Sequence, residues 1–221
     1  MSAIRVVGLW KGYGGPPVLR GLDLDVSWGE FLVIFGANGA GKTTLLKVLS
    51  TLARPDSGEV WVAGFERRRE AQAIRRSIGV VAHRGFLYDD LTAYENLAFY
   101  GRMFGVSNVR ERVRQVAARL GMEHRLDQRV RTLSHGMQKR ISLAAAILHD
   151  PPILLLDEPE AGLDQEALGM LSRVLQDWKG EGRAVLMTTH NLEQGLALGD
   201  RVAILAQGKI AYQEERTALD L

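Results

Sequence analysis

Three short stretches combine residue types at spacings that do chemistry. The first is Gly36-Ala37-Asn38-Gly39-Ala40-Gly41-Lys42-Thr43, set between an apolar run at 31–35 and a helical pattern. A glycine-rich turn in that context cradles phosphate. Gly36, Gly39 and Gly41 let the backbone curl so that N–H groups point inward at an anion, and the helix start adds partial positive charge. Lys42 is placed to reach the outer phosphates of a nucleotide, and Thr43 to ligate Mg²⁺. Asn38, Ala40 and Thr44 belong to the same turn and helix start, so they join the nucleotide-binding set. The second stretch is residues 153–158, Ile-Leu-Leu-Leu-Asp-Glu. Its apolar residues bury a strand and leave two acids at the C-terminal end, where parallel sheets bind ligands. Asp157 is placed to hold Mg²⁺ through water, and Glu158 to polarise an attacking water. The third is Leu133-Ser134-His135-Gly136-Met137-Gln138-Lys139-Arg140. There the Ser134 hydroxyl, the Gly136 N–H and a helix dipole make half of an anion site. A plain helix N-cap by Ser134 is the alternative, and the two roles are compatible.

These residues need elements to hold them. Residues 3–9, 22–26, 60–64 and 78–81 read as strands, and Leu22-Asp-Leu-Asp-Val26 alternates as a strand with one wet face does. Residues 31–35, 153–157, 184–190 and 201–206 are apolar runs, and residues 208–212 close a hairpin after Gln207-Gly208. A helix is expected from Lys42 to Leu52. Thr92 and Glu95 form a capping box that opens another over 92–104, and Val109, Val113, Val116, Ala117 and Leu120 mark one face of a third. Buried strands alternating with helices imply a largely parallel sheet, with residues 86–149 as a helical insertion.

Composition narrows the function. The chain has 221 residues, a formal net charge of +2 and no cysteine, which removes disulfides, thiolate nucleophiles and Cys-ligated metals. The basic cluster at 66–70, with Arg75 and Arg76, lacks interleaved aromatics and reads as a solvated face, not a nucleic-acid surface. No stretch approaches the roughly 18 apolar residues that span a bilayer, and the first ten residues do not read as a signal peptide. Any membrane role is expected to come through a partner.

The phosphate loop and the Asp-Glu strand together say only P-loop nucleotide hydrolase, with Mg²⁺ at Thr43 and Asp157. The third stretch sets the subclass: the chain resembles the ATP-binding cassette ATPases, the motors of ABC transporters, over nearly its whole length. That family carries Leu-Ser-Gly-Gly-Gln where this chain has Leu133, Ser134, His135, Gly136 and Met137. The resemblance implies an α/β fold: a RecA-like P-loop core with an N-terminal antiparallel β subdomain (residues 1–85 and 150–221), and a helical subdomain at 86–149, all in one cassette domain. It also implies that two copies, or a paired cassette, pack head to tail around ATP, so that Ser134, His135, Gly136 and Met137 act in trans. Tyr13 matches the aromatic that stacks on adenine; a packed turn tyrosine is the alternative. Asp164 matches a dimer-interface acid. His190 matches the switch histidine, which joins Glu158 and Lys42 as a catalytic group.

His83 stands where the family usually has Gln. A histidine there contacts water near Mg²⁺ or senses the γ-phosphate, with Arg84 as the nearby alternative. The stretch 82–106 looks most like the haem-exporter ATPase of cytochrome c maturation. The resemblance therefore implies a peripheral subunit on the cytoplasmic membrane face, driving cytochrome c maturation-type transmembrane subunits and no nucleic acid. An exporter of drugs, lipids or polysaccharides fits the third stretch equally well. A soluble non-transport cassette and an ATP-gated assembly module that turns over poorly are the further alternatives. A groove near His83 and Phe86 is expected to receive a helix of the membrane partner.

Overall fold

The structure, a computed structural model, describes residues 2–82 and 86–218. The chain opens with β1 (Ser2–Lys11) and β2 (Leu19–Ser27), paired antiparallel. In β2 the residues alternate, with Leu22, Leu24 and Val26 buried and Asp23 and Asp25 facing out, the pattern of a sheet with one wet face. After β3 (Phe31–Phe35) and α1 (Lys42–Leu49) come β4 (Ser57–Val62) and the two-residue β5 (Phe65–Glu66). These complete a four-stranded antiparallel sheet in the order β2-β1-β4-β5. Strand β4 begins at Ser57 and ends at Val62, earlier at both ends than the strand expected at 60–64.

Helix α1 stops at Leu49 rather than Leu52, because Thr51 turns left-handed and a guanidinium ends the helix. Arg67 donates to the carbonyls of Val48, Thr51 and Ala53 at 3.3, 3.3 and 2.7 Å. Its side chain is buried, so one member of the basic cluster at 66–70 is a helix C-terminal cap and not part of a solvated face. The cluster leads into α2 (Ala71–Ser77), a short helix with only Ile74 buried.

The second sheet has six strands in the order β10-β9-β3-β8-β7-β6. Its parallel members are β6 (Ile78–Val81), β7 (Ile153–Asp157), β8 (Ala184–Thr189), β3 and β9 (Arg201–Ala206). On the edge, β10 (Lys209–Glu215) is antiparallel to β9. Every residue of β3, β7 and β8 is buried, as expected where both faces are covered. Alternate side chains go to alternate faces. Phe31, Val33, Phe35, Leu154, Leu156, Val185 and Met187 enter one apolar cluster. Leu32, Ile34, Ile153, Leu155 and Leu186 enter another, with α1 and the antiparallel sheet.

Helices between β6 and β7 fill the first cluster: α3 (Ala93–Met103), α4 (Val109–Arg119) and α5 (His135–Ile147). The capping box forms as expected, with Glu95 N donating to Thr92 Oγ1 at 3.1 Å and Thr92 N to Glu95 Oε2 at 2.8 Å. Helix α5 lies directly on β6. A Cβ on Gly79 would come within 2.3 Å of the Ala146 carbonyl oxygen, so glycine sets that approach. Helices α6 (Gln165–Gly180) and α7 (Leu192–Leu198) flank β8 in sequence. Among the described residues no helix is long and apolar enough to cross a membrane.

Just beyond α5, His149 stacks on Phe104 with centroids 3.8 Å apart and planes 6° apart. Its Nε2 lies 3.1 Å from the Ile78 carbonyl oxygen, which requires the proton on Nε2. Its Nδ1 is buried with no hydrogen-bond partner in the structure. A second proton would land there without an acceptor. Burial holds the imidazole pKa below its ordinary value, and Arg112 adds to this, against the carbonyl of Ile78 and the charge of Asp150. The folded state thus takes up this proton later than the unfolded chain. The stabilisation is complete above the unfolded value, near about 6.5, and is lost as pH falls toward the lower folded value. The thermal midpoint of the wild type is expected to drop more steeply between pH 7 and 5 than that of His149→Gln. Parallel midpoint curves in a pH series would remove His149 from the acid response.

Candidate nucleotide site

The register of the large sheet assembles the site. Spatially β8 lies between β3 and β7, so three consecutive strands end at the same edge. Phe35 is level with Thr189, and Asp157 with Thr188. The turn 36–41 leaves β3, the acids leave β7 and His190 leaves β8, all from this edge. The phosphate turn has the backbone that its glycines predict. Gly41 sits at φ 112° as the N-cap of α1, a conformation that side chains rarely adopt. A Cβ on Gly36 would lie 2.7 Å from the Leu205 carbonyl oxygen.

Lys42 is only 5% exposed, and its Nζ donates to the carbonyl oxygens of Gly36 at 2.6 Å and Ala37 at 3.4 Å. The same ammonium is 3.5 Å from Glu158 Oε1. Glu158 stands on a left-handed backbone with φ 48°, and its N–H donates to the Thr188 carbonyl at 2.9 Å. His190 Nδ1 is 3.2 Å from Glu158 Oε1. Burial pushes the Glu158 carboxyl up, but the hydrogen bond and charge of His190 and the Lys42 ammonium outweigh it and hold the pKa below the usual value. The three groups expected to catalyse therefore meet at one carboxylate.

Thr43 Oγ1 donates to Asp157 Oδ2 at 2.8 Å, and Thr188 Oγ1 donates to Asp157 Oδ1 at 2.7 Å. A hydroxyl and a carboxylate oxygen this close, beside a phosphate turn, are hard donors that suit Mg²⁺. Among the described residues no group of three acidic, His or Cys side chains could hold a metal, so phosphate and water would complete such a shell. Tyr13 lies in the loop between β1 and β2, exposed, with Lys11 Nζ 5.1 Å from its ring centroid. His83 and Arg84 lie outside the described residues, so their expected roles are not placed.

The start of the third stretch faces a different cleft from this cluster. Ser134 caps α5, accepting from Met137 N at 3.3 Å, as its alternative reading had it. Asp164 caps α6, accepting from Ala167 N at 2.8 Å. Ser134, Gly136, Met137 and Asp164 line one open cleft of about 520 Å³, together with the cations Arg125 and Arg140. The ring of His135 is exposed and lies over the turn at Gly162, where a Cβ would come within 2.7 Å of Nδ1. Elsewhere, an apolar groove of about 290 Å³ runs between α5, β6 and the end of α3, lined by Phe86, Tyr100, Met103, Ala145 and His149 among others. It is the groove expected near Phe86.

Two charged residues in the site did not stand out from the sequence. Lys139, in the second turn of α5, is 8% exposed and donates to the Glu158 carbonyl oxygen at 3.3 Å. Burial lowers its pKa, and the acids Glu160, Asp157 and Glu158 work against this. Glu160 is 7% exposed. The signal for Lys139 was its place at the head of an apolar helix; for Glu160 it was a third acid in four residues, after Pro159.

Comparison with known proteins bears on these features. The family model for the ABC transporter matches residues 19–161. A daunorubicin resistance ATP-binding protein of Streptomyces coeruleorubidus is 38% identical over 95% of this chain and 67% of its own length. A linearmycin resistance ATP-binding protein of Bacillus subtilis is 33% identical over 98% of this chain and 70% of its own. The Nod factor export ATP-binding protein I of Paraburkholderia xenovorans is 37% identical over 99% and 72%. Among solved structures, an ATP-binding subunit of an ABC transporter superposes with a TM-score of 0.90 at 28% identity, covering 97% of this chain and 90% of that one. A dimeric ATP-binding cassette in a post-hydrolysis state with ADP and Pi superposes with a TM-score of 0.89 at 26% identity, covering 98% of this chain and all of that one.

Proposed function

Because the chain belongs to the ABC transporter family as its ATP-hydrolysing subunit, we propose that two copies sandwich two ATP molecules and drive separate transmembrane subunits that export a drug-like or lipid-like cargo. The observation that carries the pairing is the separation of two half-sites. Lys42, Thr43, Asp157, Glu158 and His190 gather at one sheet edge, whereas Ser134, Gly136, Met137 and Asp164 face a different cleft. A helix start in a cleft that holds Arg125 and Arg140 beside Asp164 and Glu166, and none of the residues of its own phosphate loop, suits the nucleotide of a second copy.

In this reading Lys42 and the amides of the phosphate turn bind the β- and γ-phosphates, and Tyr13 stacks on adenine. Thr43 and, through water, Asp157 would hold Mg²⁺, which neutralises phosphate charge when bound. Glu158 and His190 orient water for attack on the γ-phosphate, with catalysis coming from placement and electrostatics. The charge at the paired helix start holds the two copies together until the γ-phosphate is cleaved and released.

The apolar groove beside Phe86 and Tyr100 is the seat proposed for a helix of the transmembrane subunit, at the cytoplasmic membrane face. On cargo, the three relatives above bear drug-resistance and Nod-factor-export names. The haem reading rested on His83 and the stretch 82–106 and has no counterpart among them, so the drug, lipid or polysaccharide exporter is the reading taken forward. The test is affinity capture of the tagged chain and of its Ala145→Glu groove variant from mildly solubilised membranes. The wild type is expected to bring a polytopic membrane protein that the variant loses while still binding ATP. Cells lacking the chain should become drug-sensitive and keep their c-type cytochromes. Loss of those cytochromes would restore the haem reading, and recovery of no membrane protein would overturn the transporter assignment.

A further inference from the structure

Glu160 is buried beside the site without being one of the groups read as acting on nucleotide. Its Oε1 accepts the hydroxyl of Thr189, and its Oε2 is buried with no hydrogen-bond partner in the structure. A half-satisfied carboxyl at that depth costs stability, which a small apolar residue would avoid. Burial pushes its pKa up, with the Glu158 charge acting the same way and the Thr189 hydroxyl and His190 against it.

The hydroxyl it holds has a second bond. Thr189 Oγ1 accepts from Asn191 N at 2.9 Å. Thr189 and Asn191 flank His190, so one carboxyl oxygen grips the chain on both sides of the imidazole. Two other stitches join the same turns, Glu158 N to the Thr188 carbonyl and Thr188 Oγ1 to Asp157, but both lie before His190 in the chain. The Glu160–Thr189–Asn191 relay reaches past it, to the residue that follows the imidazole. Lys139 in turn donates to the Glu158 carbonyl.

We propose that Glu160 is a positioning residue for hydrolysis: through Thr189 it fixes the turn carrying His190 against the turn carrying Glu158. The proposal rests on reading Glu158 and His190 as the pair that places water. The contact through which Glu160 acts is the Thr189 hydroxyl.

The test is steady-state ATP hydrolysis by the full chain, purified and in the complex recovered from membranes, for Glu160→Ala, Glu160→Gln, Thr189→Val and the Ala/Val double variant. Misplacing a catalytic group by about 1 Å costs up to about 100-fold in rate. Glu160→Ala and Thr189→Val are each expected to lower kcat by about tenfold or more, with KM for ATP within about twofold. The double variant should be no worse than the poorer single, since both break one relay. Glu160→Gln, whose amide oxygen still accepts the Thr189 hydroxyl, should recover most of kcat. Wild-type kcat in Glu160→Ala and Thr189→Val, or no recovery in Glu160→Gln, overturns the proposal. So does a parallel loss in kcat and KM. If Glu160→Ala does not fold, Thr189→Val and Glu160→Gln decide alone. Near-normal hydrolysis by Glu158→Gln and His190→Ala would instead overturn the reading beneath it.

Discussion

Glu158→Gln is expected to bind ATP as the wild type does and to hydrolyse it on the order of 10²–10⁴-fold more slowly, the range for loss of a positioned acid–base group. The amide keeps the shape of the side chain but carries no charge and is too weak a base to take the proton of an attacking water. Lys42 and His190 hold the carboxylate in its charged form. Turnover stopped before cleavage should leave the ATP-bound pair intact, visible as an ATP-dependent doubling of mass in light scattering. Hydrolysis within tenfold of wild type would move the role of Glu158 to another group. A strictly monomeric variant at saturating Mg²⁺-ATP, with and without the membrane partner, would sink the sandwich.

Lys42→Ala carries the second large expectation. Its ammonium is buried, and its donors are spent on the Gly36 and Ala37 carbonyls and on Glu158. Those bonds hold it ready at the mouth of the turn, so little side-chain entropy is lost when it meets phosphate. A hydrogen bond to a charged group contributes about 1.5–3 kcal/mol, so the Kd for ATP should rise about 10- to 100-fold. The rate should fall further, because charge on the cleaved phosphate is then less well neutralised. Equilibrium binding of a fluorescent ATP analogue separates the two effects. A Kd within twofold of wild type would mean that the turn's amides carry binding unaided.

Much of this site was legible because its residues end continuous apolar runs. Residues 31–35, 153–157 and 184–189 are buried throughout, and each delivers its polar group at the edge where it was expected. Strand order was not legible: a strand buried on both faces carries no sign of which neighbour it pairs with, and β8 enters between β3 and β7 from far along the chain. Arg67 and Lys139 were misjudged or passed over for one reason. Charged side chains are solvated by default, and only the fold supplies the carbonyls that make burial tolerable. Helix α2 and strand β5 were too short to leave a period, and α1 ends early at an acceptor set completed some fifteen to twenty residues later.

The place of β8 also sets when the protein becomes competent. The phosphate turn and the acids are made before β8, yet they belong to strands that β8 separates. Strands lie about 4.8 Å apart, so without β8 the sheet has a gap two spacings wide. A chain emerging from the ribosome keeps that gap until residues 184–189 arrive, and His190 follows directly behind them. ATPase activity is therefore expected only once residues 184–190 have been made, after the groove beside α3 and α5 has its residues in hand, and a chain that stops before them should have no working motor to misfire.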